Sequence, residues 1–205
     1  MYLNPARASA KPRHRACSLR MRLVVATLAA TAGIVATAHA EVVNFDTPIV
    51  VPNTFSGIYL NLLTGANGSS GTSVPGWDFD PYNSGFELAF FWNGIPAGSN
   101  AGASTTVSGP YLDLPEGAIV SSASTFTTLK ANGQTAAFQS AGTHILGFQF
   151  FNESTNIVNY GAMTLTAGSA TGFPLTITSW SFENSGGPFT VTDPFATRFA
   201  DGFEN

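Results

Sequence analysis

The sequence predicts an all-β fold, an antiparallel β-sandwich of jelly-roll-like type. The main observation is that short stretches with alternating apolar and polar residues recur from residue 42 to residue 183, and this period of two is typical of half-buried strands. Glycine, proline and asparagine separate the stretches, and none shows the 3.6-residue apolar period of an amphipathic helix. Many short strands without intervening helices favour packed antiparallel sheets.

Six segments are the strongest strand candidates. In chain order they are Val42–Phe45, 57–63, 86–92, 144–151, 157–166 and Leu175–Glu183. In the third segment alternation places Trp92 on the same face as Phe86 and Phe90, so we expect Trp92 in the core. Trp180 shares a face with Phe182, which indicates packing for this tryptophan as well.

Turn-forming residues mark the ends of the predicted strands. Three Asn-Gly pairs, at 67–68, 93–94 and 132–133, predict tight turns because both residue types tolerate positive φ. Seven prolines, Pro81 among them, are expected at strand ends, where a missing N–H removes no ladder hydrogen bond. The stretch 94–108 is rich in small residues and predicts a loop or a weak edge strand.

The beginning of the chain has the pattern of a secretory signal peptide. Arg20 and Arg22 precede an uncharged, largely apolar run over residues 23–40. The run ends in Ala38-His39-Ala40, which places small residues at the two positions that signal peptidase reads. Residues 1–40 are therefore interpreted as a cleaved leader.

The predicted cleavage site divides the chain into three parts. Cleavage between Ala40 and Glu41 leaves a β-sandwich domain over residues 41–192 and a flexible C-terminal tail over residues 193–205. Met21 is an alternative start of translation, since it gives a compact leader over residues 21–40 with a short basic end at Arg22.

The predicted mature part is strongly acidic. The chain has eight Lys and Arg residues and twelve Asp and Glu residues. Only Lys130 and Arg198 lie after the leader, whereas all acidic residues do, so the formal charge of residues 41–205 is −10. Nucleic acid and anionic lipid both attract basic surfaces, so neither is an expected partner. Charge and leader predict a protein of the periplasm, cell surface or extracellular matrix of a Gram-negative bacterium, without a stable membrane span after cleavage.

Residues for catalysis are scarce in the predicted mature part. His144 is its only histidine and no Gly-x-Ser-x-Gly motif occurs, so neither a catalytic triad nor a zinc site is expected. We interpret His144 as a polar residue at a strand end. A glycoside hydrolase is the enzymatic alternative, since Glu87 and Glu183 lie in strong predicted strands and such enzymes use two carboxylates across one groove.

The turn-rich segment 75–84 contains the candidate ligand-binding residues. Trp77 and Tyr82 are expected to be more accessible than the other large aromatic residues and to form a stacking platform for a sugar. Asp78 and Asp80 point to one face of a strand and supply ligands for sugar hydroxyl groups.

Calcium is an alternative ligand of the same segment. Asp78 and Asp80, followed by Asn83, place three hard oxygen donors close together in the sequence. The competing interpretation is capping of the turn around Pro81 by these short polar side chains. We expect no cofactor, with calcium kept as the alternative.

Several segments resemble the exported body of bacterial PEP-CTERM-type proteins. They are residues 43–46 (VNFD), 57–65 (GIYLNLLTG), 76–82 (GWDFDPY), 146–166 and 177–184. The family's C-terminal sorting helix has no counterpart in residues 193–205, and the closing sequence FADGFE is similar to a short DGFE-type tail of secreted gammaproteobacterial proteins. The resemblance implies a surface or matrix location and supplies no catalytic residues.

Three functions remain open from the sequence. The first is a secreted, non-catalytic protein of the cell surface or extracellular matrix, with extracellular polysaccharide or surface proteins as partners. The second is a carbohydrate-binding module that uses Trp77 and Tyr82. The third is a glycoside hydrolase that uses Glu87 and Glu183.

Overall fold

The computed structural model describes residues 40–192, and these residues form an all-β fold. Two short 3-10 helices, Gly71–Ser73 and Ala136–Phe138, are the only helices of this part. The thirteen strands are β1 Val42–Phe45, β2 Ile49–Val51, β3 Tyr59–Leu60, β4 Asn67–Gly68, β5 Phe79–Asn83, β6 Leu88–Trp92, β7 Ala101–Ala103, β8 Ile119–Val120, β9 Phe126–Thr127, β10 Gly142–Asn152, β11 Ile157–Ala167, β12 Leu175–Glu183 and β13 Phe189–Thr190. The predicted all-β class is confirmed.

The strands form three antiparallel sheets. The largest has seven strands in the order β1-β12-β11-β10-β7-β9, with β2 paired to β12 beyond the end of β1. The second has four strands in the order β4-β3-β5-β6, and β8 and β13 form a separate ribbon. The strands β10, β11 and β12 are consecutive along the chain and adjacent in the sheet, because short connections join antiparallel neighbours. The finer jelly-roll-like topology stays a prediction.

The main core contains side chains from both large sheets. Phe79 and Phe90 of the four-stranded sheet belong to one buried cluster with Phe148 and Met163 of the seven-stranded sheet. Trp92 is buried in the same cluster, and its indole N–H donates to the Tyr111 hydroxyl at 3.1 Å. The predicted core position of Trp92 is confirmed, and the paired N–H explains how an indole is buried without an unsatisfied donor.

The β8–β13 ribbon packs on the other side of the seven-stranded sheet. Val120 and Phe189 of the ribbon cluster with Tyr160 and Ala162 of β11. The seven-stranded sheet therefore has apolar contacts on both faces along part of its length. This explains why β11 is buried at nearly every position and does not alternate.

The long strands agree closely with the sequence-based prediction. The bounds of β1 and β12 are those predicted, and β10 and β11 are each longer than predicted by one to three residues. In these strands hydrophobic alternation and β-branched residues favour the same structure as the tertiary packing.

Several short segments differ from prediction. Of the predicted strand 57–63 only Tyr59–Leu60 is a strand, and Asn67–Gly68 is strand β4 and not a turn. Ala101–Ala103, within the predicted loop or weak edge strand, is a buried strand between β10 and β9. Phe86 is 80% exposed, because strand β6 begins at Leu88 and Gly85 adopts φ +99° just before it. Whether a short segment becomes a strand depends on the strands beside it, and a local sequence pattern does not show which strands become neighbours. Within residues 40–192 no helix is long and apolar enough to cross a membrane.

Candidate functional site

The predicted ligand-binding residues lie on the outer side of the four-stranded sheet. Along β5, Phe79 points into the core, so Asp80 and Tyr82 point to the opposite face. Phe91 of β6 pairs with Asp80 and shares this outer face. We call the surface the Trp77 face, and it consists of Tyr59, Trp77, Asp78, Asp80, Tyr82 and Phe91.

The Trp77 ring is the centre of a small aromatic cluster. The Tyr59 ring meets it edge to face with 4.8 Å between centroids, and the Phe91 ring lies 5.2 Å away at 59°. A Cβ at Gly71 would stand 2.6 Å from the Trp77 indole nitrogen, so the first 3-10 helix also packs against this side chain. The three rings are half-buried and form one continuous surface that retains access to solvent.

The cluster carries the only Lys or Arg side chain of residues 40–192. The ammonium nitrogen of Lys130 lies 3.9 Å from the centroid of the Phe91 ring, a cation–π contact. The same charge lowers the pKa of Asp80, which places Lys130 near that carboxyl group. The Trp77 face thus combines aromatic surface, one cation and two acidic groups.

Asp78 lies beneath this surface and is only 1% exposed. Its carboxylate accepts the Leu62 backbone N–H at 2.8 Å, which ties the loop after β3 to the start of β5. Burial raises the pKa of Asp78 to about 8 against the lowering effect of the Leu62 bond, and the charge of Glu153 raises it further. Asp78 therefore holds a proton at neutral pH and acts mainly as a structural hydrogen-bonding group.

Asp80 is also enclosed, at 2% exposed. Burial raises its pKa to about 7, although the Ile58 backbone N–H and the Lys130 charge both lower it. Its Oδ1 has no hydrogen-bond partner in the described part of the chain, and a Cβ at Gly57 would stand 2.3 Å from this oxygen. The carboxyl group is therefore covered by the loop between β2 and β3 and not by solvent.

The charge of Asp80 affects the pKa of both tyrosines of the Trp77 face. Burial raises the pKa of Tyr59 and of Tyr82, and the nearby Asp80 charge raises both further. Both phenols consequently remain neutral hydrogen-bonding groups at physiological pH.

The structure separates Asn83 from the two aspartates. Asn83 follows Tyr82 on β5, so alternation directs its side chain to the face opposite Asp80. Its amide donates to Asn53 at 2.5 Å, and its carbonyl accepts the Gly85 N–H at 2.7 Å. Asn83 thus stabilises the turn between β5 and β6. In residues 40–192 no group of three or more His, Cys, Asp or Glu side chains has a metal-binding arrangement, and the calcium site stays a prediction.

Glu87 and Glu183 belong to different sheets. Glu87 directly precedes β6 in the four-stranded sheet and accepts the Gly133 backbone N–H at 2.5 Å. Glu183 ends β12 in the seven-stranded sheet and accepts the backbone N–H groups of Ser185 and Gly187. Each carboxylate caps a turn, and the strand order does not place the two on neighbouring strands.

His144 is buried near the start of β10 and pairs with the exposed Asp113. Its Nδ1 lies 2.8 Å from the Asp113 carboxylate, and its Nε2 lies 2.9 Å from the Ser140 carbonyl oxygen. Burial lowers the pKa of His144, but the hydrogen bonds to Asp113 and Ser140 outweigh this effect and the pKa is raised. Two acceptors occupy both ring nitrogens, so this histidine holds strand β10 against the Asp113 segment.

Two residues of the Trp77 face, Tyr59 and Phe91, and the neighbouring Lys130 are not among the ligand-binding residues predicted from the sequence. Phe91 carried a usable signal, since alternation along 86–92 places it opposite the core residues Phe90 and Trp92. Tyr59 carried the same kind of signal, since alternation along 57–63 places it opposite the core residues Leu60 and Leu62. Lys130 carried none, because its approach to the face depends on the path of a distant loop.

Comparisons with known proteins add no further assignment. The sequence matches no protein-family model, and neither the curated proteins nor the solved structures contain a significant match.

Proposed function

We propose that this chain is an exported, non-catalytic protein of the bacterial cell surface or extracellular matrix, built on a jelly-roll-like sandwich, that binds polysaccharide through the Trp77 face. The observation that carries the proposal is the continuous, half-exposed cluster of Tyr59, Trp77 and Phe91 beside Lys130, the only Lys or Arg within residues 40–192. Sugar rings present C–H faces that pack on aromatic side chains, and their hydroxyl groups require hydrogen-bonding neighbours. The phenol of Tyr59 supplies such a neighbour within the cluster, and the phenol of Tyr82 lies on the same face of the sheet.

Three sequence features support the exported setting. The leader ends at Ala40, the part that follows has a formal charge of −10, and its resemblance to PEP-CTERM-type bodies implies a surface or matrix location. A strongly acidic surface favours solubility and reduces non-specific contact with other anionic polymers. These features support a neutral polysaccharide as the ligand.

The test is binding of the purified protein to a glycan array and to insoluble polysaccharides. Loss of an anchoring aromatic group removes about 2 kcal/mol, so Trp77→Ala should weaken binding roughly thirtyfold. Trp77→Phe retains a ring and should keep most of the affinity. Phe86→Ala is the matched control, since Phe86 is an exposed aromatic residue outside the Trp77 face. Unchanged binding by folded Trp77→Ala, or no binding of the parent to any glycan, would overturn the proposal.

The same assay tests the calcium alternative. Both carboxyl groups of the predicted calcium site are buried, and that of Asp78 accepts the Leu62 N–H. We therefore expect equal binding of polysaccharide in calcium chloride and in EDTA. Binding that requires calcium would assign a metal role to Asp78 and Asp80 and contradict this expectation.

A further inference from the structure

A groove lies on the outer side of the seven-stranded sheet. It has a volume of about 350 Å³, in the range of small-molecule sites. Its floor is formed by β11 and β12, one wall by β13 and the residues that follow it, and the other by the connection between β1 and β2. None of the residues predicted to bind ligand from the sequence belongs to it.

A β-bulge shapes the floor of this groove. Thr164 pairs with Ser179, whereas the next residue of β11, Leu165, pairs with Ile177, so Thr178 is the extra residue of β12. Ile177 and Trp180 are both in the core, which leaves the consecutive side chains of Thr178 and Ser179 on the outer face. Bulges commonly redirect side chains in this way beside binding sites.

Two hydroxyl groups of the floor are unpaired. Thr164 is 6% exposed and Ser179 is 7% exposed, and neither side chain has a hydrogen-bond partner within residues 40–192. By contrast, the Thr178 hydroxyl bonds to that of Thr166 at 3.2 Å, and Ser181 donates to Asn44 at 2.6 Å. Neither hydroxyl oxygen is fully enclosed, so both open to the groove and can form hydrogen bonds with a ligand that has polar groups.

The walls of the groove complement this polar floor. Ile145, Ala162, Phe189 and Val191 supply an apolar wall. No Lys or Arg lines the groove, and its one acidic residue is Asp46 at the β1–β2 connection. The surroundings therefore disfavour an anion and suit an uncharged molecule that has both hydroxyl groups and a hydrocarbon face.

We propose that this groove binds a neutral sugar ring, with the hydroxyl groups of Thr164 and Ser179 hydrogen-bonded to the ring hydroxyls and its C–H face against Phe189 and Val191. A pyranose has this combination of surfaces, and a single ring fits the volume. The site lies on the sheet opposite the Trp77 face and does not depend on the function proposed for that face.

The experiment is an amide chemical-shift titration of the purified protein with glucose, galactose, mannose and N-acetylglucosamine, and with glucuronate as a charged probe. Sugars are used to about 10 mM, because a ligand of about twelve heavy atoms binds in the millimolar range. We expect saturable shifts around Thr164 and Ser179 with at least one neutral sugar and none with glucuronate. No shift at these residues with any neutral sugar, or preference for glucuronate, would overturn the proposal.

Variants of Thr164 and Ser179 test the proposed hydrogen bonds to the sugar. The double variant Thr164→Val with Ser179→Ala removes both hydroxyl groups at nearly constant volume and should weaken binding about tenfold. If it does not fold, Ser179→Ala alone should weaken binding about threefold. Thr143→Val removes an exposed hydroxyl of β10 outside the groove and should match the parent. Parent-like affinity of the folded double variant would refute the assigned contacts.

Trp77→Ala separates the two proposals. It should reduce polysaccharide binding at the Trp77 face and leave the sugar-induced shifts around Thr164 and Ser179 unchanged. Failure of either binding event therefore leaves the other measurable.

Discussion

Burial changes the chemistry of individual side chains on the Trp77 face. Asp78 and Asp80 look like solvent-facing acids in the sequence, yet loops cover both. Burial disfavours the charged form of both carboxyl groups, and at Asp80 the Lys130 charge offsets this effect only in part. The sequence does not reveal this enclosure, because the covering residues come from other segments.

The raised pKa of Asp78 gives a stability prediction. The folded protein keeps this proton up to about pH 8, whereas an unfolded chain releases it near the ordinary value of 3.8. Between these values the folded state binds more protons, so stability falls as pH rises from about 4 to about 8 and levels off above that range. Asp80, with a pKa of about 7, contributes in the same direction.

Asp78→Asn should flatten this dependence. The asparagine amide oxygen can still accept the Leu62 N–H, but the side chain cannot ionise. The melting temperature of the variant should therefore fall less between pH 5 and pH 8 than that of the parent. A difference of at least about 4 °C is expected, which corresponds to roughly 1 kcal/mol in a domain of this size. Glu116→Gln, an exposed carboxylate, controls for net charge. Identical pH profiles for Asp78→Asn and the parent would contradict the assignment.

At the scale of elements, close packing between strands limits the size of the side chains that β11 can accommodate. A Cβ at Gly161 would stand 2.3 Å from the Ser181 carbonyl oxygen and 2.7 Å from the Phe148 ring. Both neighbours belong to strands that pair with β11, so neither can move freely. The glycine is therefore required by close approach and not by its backbone angles.

Gly161→Ala should lower the free energy of unfolding by about 1–3 kcal/mol, since overpacking in a sheet interior forces the strands apart. Urea denaturation measures the change. Gly94→Ala is the matched control, because nothing lies within 4 Å of a Cβ at that position. Equal stability of the two variants would show that β11 adjusts more easily than the close contacts indicate.

Pro81 illustrates how a strand element departs from its sequence signal. The sequence predicts proline at a strand end, yet Pro81 lies in the middle of β5. Two residues later, the Asn83 N–H donates to Thr54 in the loop that follows β2. The nitrogen of Pro81 faces the same side of β5. Strand β3 pairs with β5 only at Phe79, and beside Pro81 its place is taken by the loop, so the proline removes no ladder hydrogen bond.

At the scale of the whole molecule, Glu41, which directly follows the predicted cleavage site, is hydrogen-bonded to Asn184 just after β12. The Glu41 backbone N–H donates to the Asn184 side chain at 3.1 Å, and its carbonyl accepts the Asn184 N–H at 3.0 Å. Strand β1 starts at the next residue, Val42, whereas Ala40 is exposed. An exposed junction directly before the first strand is compatible with access by a peptidase.

Expression of the full chain in a Gram-negative host should yield an exported protein whose first residue is Glu41. Mass spectrometry of the purified product measures this directly. Ala38→Phe places a bulky side chain at a position that the peptidase reads, so it should slow processing, whereas Ala36→Phe outside the motif should not. A product that retains residues 1–40 in the exported fraction would contradict the predicted leader. The predicted tail 193–205, like most of the leader, lies outside the described residues.

The sequence by itself determined the all-β class, the bounds of β1 and β12, and the burial of Trp92, because alternation along one strand reports which face meets a core. Only the tertiary structure decided which strands became neighbours. It enclosed Asp78 and Asp80, brought Tyr59 and Lys130 to Trp77, and placed Thr164 beside Ser179 across a bulge. The physical reason is that strand pairing and loop coverage depend on residues far apart in the chain, and a local period of two carries no information about them.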